Sequence, residues 1–207
     1  MTRNLDLILK DIRSCRICRE TSAGAPLGHE PRPVLRVSST ARLAVYGQAP
    51  GARVHKSGTP FTDPSGVRLR QWMGVTDEEF YDARRVSIIP MGFCFPGYNA
   101  KGADLPPRKE CAPKWRDDLM KAVPQFEVVL LVGGYAQAWH LAANANRNLS
   151  DTVADWRQIT ARSSQPRYWP LPHPSWRNNG WLKQRPWFED ELLPALRRDV
   201  RRVLSGH

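Results

Sequence analysis

At 207 residues the chain can bury one proper core and little more, so a single domain over residues 1–207 with one site is expected. Its formal charge of +11 excludes an acidic solvating protein and points to an anionic partner, nucleic acid first, because basic surface supplies phosphate contacts that ignore sequence. The N-terminus alternates charge and leucine with no secretory pattern, and the longest apolar run, Val128 to Val132, is far too short for a bilayer, so a cytoplasmic chain with no membrane partner is expected.

Leu5, Ile8, Leu9 and Ile12 recur at helical spacing, which predicts an amphipathic helix over 3–14 leading into Cys15 and Cys18. Residues 19–40, with Gly24, Gly28, Pro26, Pro31 and Pro33, read as an ordered wrap. The apolar run Leu43–Tyr46 predicts a strand that stops in Gly47–Gly66, where glycines and prolines forbid a helix. A strand ending in such a loop is how an α/β protein places a ligand loop at its C-terminal end, so this loop is the expected site. A helix is predicted over 65–73 with Ser65 as N-cap, and the capping box Thr76-Asp77-Glu78-Glu79 opens a short one to Ala83. Val86–Ile89 reads as a second strand.

The segment from Pro90 to Pro113 is rich in glycine and proline and carries Cys94 and Cys111. A helix over 115–123, a strand over 126–132, a tight Gly133-Gly134 turn and a helix over 135–145 follow. Residues 157–165 read as polar surface loop. A last strand, Tyr168–Leu171, delivers His173, and a helix opening near Pro186 buries the stripe Phe188, Leu192, Leu196, Val200 and Val203. This alternation predicts an α/β fold, a three-layer sandwich with a short, mostly parallel central sheet flanked by helices.

Cys15 and Cys18 lie two apart, and gaps of 75 and 16 residues lead to Cys94 and Cys111. A Cys-x-x-Cys pair converges on one centre from a single turn, and two further thiolates complete a tetrahedral or cubane set. Structural zinc and a 4Fe-4S cluster both fit that spacing.

Gly47-Gln48-Ala49-Pro50-Gly51, then Gly58-x-Pro60-Phe61 and Gly66-x-x-Leu69, together with His173-Pro174-Ser175, resemble the two signatures of the uracil-DNA glycosylase superfamily, nearest its iron-sulfur-containing families four and five. The resemblance implies a 4Fe-4S cluster on the four cysteines and a monomeric enzyme acting on DNA that contains uracil or a related lesion. It implies that Phe61 stacks on an extrahelical base, that His173 donates to a uracil oxygen, and that the loop from Gly47 holds the base through the amides of Gln48 and Ala49. Trp176 and Arg177 would push into the gap left by the flipped nucleotide, with Trp181 in support.

Departures from the family pattern set further expectations. Ala49 stands where family one carries its water-activating aspartate, which leaves Asp63 as the candidate for positioning water, against a plain turn role before Pro64. Gln48 replaces the family four glutamate, joining His173 and Asp63 as a catalytic candidate, and His55 replaces an aspartate. Pro90 replaces the base-reading asparagine, for which Asn99 or Asn178 would substitute. Gly51 occupies the position of the family one tyrosine that blocks a 5-substituent, so an open edge is expected there. The implied function is a monofunctional glycosylase that hydrolyses the N-glycosidic bond of uracil in base excision repair. The alternative is a non-catalytic iron-sulfur protein that holds nucleic acid in the same pocket.

Overall fold

Four short runs pair side by side, buried on both faces except where exposed Arg167 and half-buried Tyr168 open the last, the pattern of strands covered above and below. The computed structural model describes residues 3–21, 24–141, 147–162 and 165–206. In chain order its elements are α1 (Leu5–Arg13), α2 (Ile17–Glu20), β1 (Leu43–Tyr46), α3 (Ala52–Ser57), α4 (Pro64–Met73), α5 (Asp77–Tyr81) and β2 (Val86–Ile88). Then come α6 (Cys111–Ala122), β3 (Val128–Val132), α7 (Gly134–His140), α8 (Leu149–Ala154), α9 (Trp156–Arg162), β4 (Arg167–Leu171), α10 (Asn179–Lys183) and α11 (Leu193–Leu204).

The sheet order is β2-β1-β3-β4 and every pair is parallel, with Leu43 opposite both Val86 and Val128, and Val128 opposite Arg167. Alternate residues serve two cores. Leu43, Val45, Ile88 and Leu130 pack with Trp72, Phe80, Phe188 and Leu196 from the α4, α5 and α11 side. Ala44, Tyr46, Val129 and Leu131 pack with Ile8, Ile12, Trp115 and Leu119 from α1 and α6. Each fully buried leucine or isoleucine contributes about 1.5–3 kcal/mol. The three-layer α/β architecture is therefore as expected, with a sheet that is parallel throughout.

From β1 the chain turns to β2 on one side and then crosses to β3 on the other, so the order reverses between β1 and β3. In parallel sheets, ligands bind at the C-terminal edge of such a reversal. The loops after β1, β3 and β4 meet there. Gly133 takes φ +88, a Cβ on it would run into the Gln48 side chain, and its N–H donates to Leu171 O at 2.9 Å. The buried Gln137 amide donates to Leu131 O (3.2 Å) and Leu171 O (2.8 Å), fastening the ends of β3 and β4 together.

Several local expectations are corrected. The loop Gly47–Gly66 contains α3, because Ala52 to Ser57 are helix-compatible, Gly51 starts the turn, and Gly58 ends it in the left-handed region at φ +74. The N-cap of α4 is Asp63, not Ser65, since Pro64 takes the first helical position and Ser65 is buried. Residues 157–162 belong to α9, which buries Ile159 and Trp156. The helix expected over 115–123 starts four residues earlier, at Cys111, and the one expected over 135–145 runs Gly134–His140, with 142–145 outside the described residues. The capping box of α5 is present as read, and the closing stripe is buried, although a wide π turn over Phe188–Leu192 precedes α11.

Candidate active site

A cavity of about 560 Å3, counting its mouth, opens at the C-terminal edge of the sheet. Gly47, Gln48, Ala49 and Gly51 line it from the β1 loop, Phe61 and Asp63 from the approach to α4, Pro90 from the end of β2, and His173 from beyond β4. The elements that position these residues are far apart in the chain; the sheet order brings them together.

Phe61 is held in an unusual way. Its backbone is left-handed at φ 54, a conformation that costs a non-glycine residue about 1 kcal/mol or more. Its carbonyl accepts hydrogen bonds from the Tyr81 hydroxyl (2.9 Å) and the Arg70 guanidinium (3.3 Å). A Cβ on Gly66 would overlap that carbonyl, so only glycine fits at the first turn of α4. The Phe61 ring meets Phe80 edge to face at 6.1 Å and lies against Gly47, where an added Cβ would stand 3.3 Å from Cζ. One ring edge is thus anchored in the core while the rest borders the cavity.

The Gln48 carbonyl accepts from the Gly92 N–H at 2.8 Å and the Gly47 carbonyl from Met91 at 2.9 Å, which fixes the loop to the chain after β2. The amides of Gln48 and Ala49 have no acceptor among the described residues. Asp63 accepts the Gly66 N–H at 3.1 Å as the cap of α4, and it also borders the cavity. His173 lies between Pro172 and Pro174 just beyond the end of β4, and Asn178 donates to its carbonyl at 2.6 Å. Burial lowers the His173 pKa, the Asp63 charge partly opposes this, and Arg177 adds to it, so the ring is neutral at pH 7.

Pro90 presents its ring to the cavity and its carbonyl to Arg116, which donates at 3.1 Å to both Ile89 O and Pro90 O. Arg116 is fully buried beneath the site, with its guanidinium 4.1 Å from the Tyr46 ring centroid and its Nε on His140 at 3.1 Å. Burial pulls its pKa down to about 10, which keeps it charged at neutral pH. No motif announced this residue. The signal was an arginine on the apolar face of a predicted helix.

The cavity opens into a wide groove bordered by Arg53, Arg68, Arg177, Tyr135 and Trp176. Trp176 is 73 % exposed, with Arg177 5.9 Å from its ring centroid. Arg68 donates to Ser175 O (3.2 Å) and Asn179 Oδ1 (2.8 Å), tying α4 to the loop after His173. Tyr135 was missed because a tyrosine opening a helix after Gly-Gly carries no pattern of its own.

Other expectations are redirected. Asn99 caps its own turn by accepting from Lys101 and Ala103, and Asn178 is engaged by the His173 carbonyl, so neither amide is turned to the cavity. Trp181 packs against the core and donates to Ser150 at 2.7 Å, away from Trp176. His55 packs on His29 and Phe95. The edge beside Gly51 is not open, because a Cβ there would stand 3.3 Å from Oδ2 of Asp104.

Cys15, Cys18, Cys94 and Cys111, all free thiols, line a second cavity of about 430 Å3, counting its mouth, between the N-terminal segment and the loop that starts α6. Phe93 N–H donates to Cys111 Sγ at 3.4 Å. Among the described residues, no three ligating side chains converge as tightly as one bare ion requires. Burial pushes the thiols of Cys94 and Cys111 up to about 12.

The parallel α/β sheet thus carries a loop-built pocket at the point where its strand order reverses, with an aromatic ring on one wall and a histidine on another, opening on a groove that three arginines border. The family model described as the uracil DNA glycosylase superfamily matches residues 36–197, and the chain belongs to that superfamily. The match begins beyond Cys15 and Cys18, and it includes every residue that borders the first cavity except Val34. No helix among the described residues is long and apolar enough to cross a membrane.

Proposed function

We propose that the chain is a monofunctional DNA glycosylase that removes uracil by hydrolysis of its N-glycosidic bond. The observation that carries this reading is that Phe61, His173 and the unpartnered amides of Gln48 and Ala49 border one cavity that opens on an arginine-lined groove. A flipped base gains dispersion contact on the Phe61 ring, which asks for no hydrogen bond in return. His173, as a neutral donor, meets the charge that develops on a pyrimidine oxygen as the base departs, and the two amides hold the ring in place. Arg177 and Trp176 face the phosphates and the space left in the strand.

The four cysteines line one cavity, a donor set that fits a 4Fe-4S cluster, and the resemblance to the iron-sulfur-containing families favours the cluster over zinc. When bound, such a cluster supplies a covalent tie between the N-terminal segment and the loop over 93–111. The residues that would hold it are Cys15, Cys18, Cys94 and Cys111.

The test is incubation with a single-stranded oligonucleotide carrying one uracil, followed by alkaline scission. Strand cleavage at the uracil, with free uracil released and none from a thymine control, is the expected result. An oligonucleotide that binds and stays intact, whichever deaminated base it carries, favours a non-catalytic binder instead. The purified protein is also expected to be brown, with a broad visible band that bleaches on reduction. A colourless preparation with stoichiometric zinc overturns the cluster.

A further inference from the structure

Two carboxylates reach the pocket, and the sequence motifs drew attention to only one. Asp104 sits on the irregular loop between Phe95 and Pro107, which a bridge between Tyr98 and Asp104 and the Asn99 side chain hold in shape. It borders both the base cavity and the groove, as do Asp63 and His173, and its Oδ2 lies beside Gly51. The two carboxylates differ in what occupies them. Asp63 is committed to the first turn of α4 through the Gly66 N–H. The Asp104 carboxylate accepts no hydrogen bond among the described residues, and it borders the same cavity.

We propose that Asp104 is the catalytic residue that orients and deprotonates the hydrolytic water, a task for which Ala49 has no carboxylate and Asp63 has one oxygen already engaged in its cap. This deepens the glycosylase reading and rests on it. In the step, the water oxygen bonds to C1′ of the sugar as the bond from C1′ to N1 of the base breaks. The electron pair of that bond leaves with the base, whose anion accepts a hydrogen bond from His173. The proton of the water passes to the Asp104 carboxylate and then to solvent. Burial raises the Asp104 carboxyl above the usual range, Arg177 holds the rise back, and Asp63 adds to it, so the group is a better proton acceptor than a free aspartate. Pro106 and Pro107, which follow Leu105, limit how far the loop can swing.

The experiment is single-turnover uracil release by the wild type, Asp104→Ala, Asp104→Asn and Asp63→Asn, with affinity measured on an oligonucleotide carrying 2′-fluoro-2′-deoxyuridine, which resists cleavage. Both Asp104 variants should lose about 10²-fold or more in rate while affinity stays within about threefold. Added formate should restore part of the rate to Asp104→Ala, whose missing carboxylate it replaces, and none to Asp63→Asn. Asparagine caps a helix as well as aspartate does, so Asp63→Asn should lose less than about tenfold. Asp104 variants at wild-type rate, a matched loss of rate and affinity, or no response to formate each overturn the proposal. A wild type that releases no uracil overturns the glycosylase reading itself, and the wild-type arm separates that failure from the others.

Discussion

His173 works as a neutral ring on the proposed reading, since burial lowers its pKa, and a neutral donor avoids leaving an ion pair to be broken when the base departs. His173→Ala should therefore lower single-turnover uracil release by about 10²- to 10³-fold while affinity for the 2′-fluoro oligonucleotide is kept. Equal losses in both would make His173 a positioning residue. Gly51 is governed by its neighbour. Family resemblance alone suggested a void that a tyrosine would fill, narrowing the enzyme toward plain uracil. With Asp104 Oδ2 at 3.3 Å from an added Cβ, a tyrosine must displace that carboxylate. Gly51→Tyr is expected to lose uracil release by about as much as Asp104→Ala, about 10²-fold. Retained uracil release with selective loss of 5-hydroxymethyluracil would restore the simpler view of an open edge.

At the scale of elements, α5 acts on the site through one hydroxyl. The capping box at Thr76 and Glu79 sets where α5 begins, and four residues on, Tyr81 reaches the Phe61 carbonyl at 2.9 Å. Tyr81→Phe removes one of the two hydrogen bonds that hold Phe61 at φ 54, and should cost about 0.5–1.5 kcal/mol in urea denaturation. Its larger effect should be on recognition. KM for a uracil oligonucleotide rises while the single-turnover rate at saturation is kept, because the ring loses its fixed orientation and the chemistry is elsewhere. A fall in the saturated rate with unchanged KM would count against this role. The neighbouring α4 meets the same carbonyl, which is why Gly66 in its first turn tolerates no side chain.

At the scale of the molecule, α5 is tied to α11 by Glu79. Its carboxylate accepts from both ends of the Arg201 guanidinium, at 2.6 and 2.9 Å, and from the Thr76 amide at 3.0 Å. The Arg201 hydrogen bonds, with the Thr76 amide in support, hold the Glu79 pKa at about 2 against an ordinary 4.5. Between those values the unfolded chain binds a proton that the folded one does not. The stabilisation is fully present above about pH 4.5 and is lost as pH falls through about 2. Thermal melts across that window should show a shallower acid decline for Glu79→Gln than for the wild type; parallel curves would mean that other carboxylates dominate. Cys15→Ser or Cys111→Ser should lower the melting temperature of the whole domain, since the proposed cluster joins two distant segments. A loss of colour with an unchanged melt would make the group dispensable to the fold.

The sequence by itself determined the features that local chemistry specifies. Short runs such as Val128–Val132 had to be strands buried on both faces, glycines and prolines from Gly47 had to make the loop after the first of them, and His173 had to follow the last. Thr76 and Glu79 declared a helix start because capping is a matter of three residues. The four cysteines were legible as a set, although the cavity they line between the N-terminal segment and the start of α6 was not. Tertiary structure alone decided that β1, β3 and β4 end side by side, which is why Gln48, Gly133 and His173 meet. It also decided that Asp63 is occupied as a cap while Asp104, on an irregular loop without a motif, faces the same pocket, and that Arg116 props Pro90 from within the core. Helices α3 and α9 were missed for the same reason: their stability comes from burying Val54, Trp156 and Ile159 against partners distant in the chain, and periodicity in a six- or seven-residue segment is too short to reveal that. Spacing encodes contacts a few residues apart; contacts across the chain exist only once the sheet has brought its strand ends together.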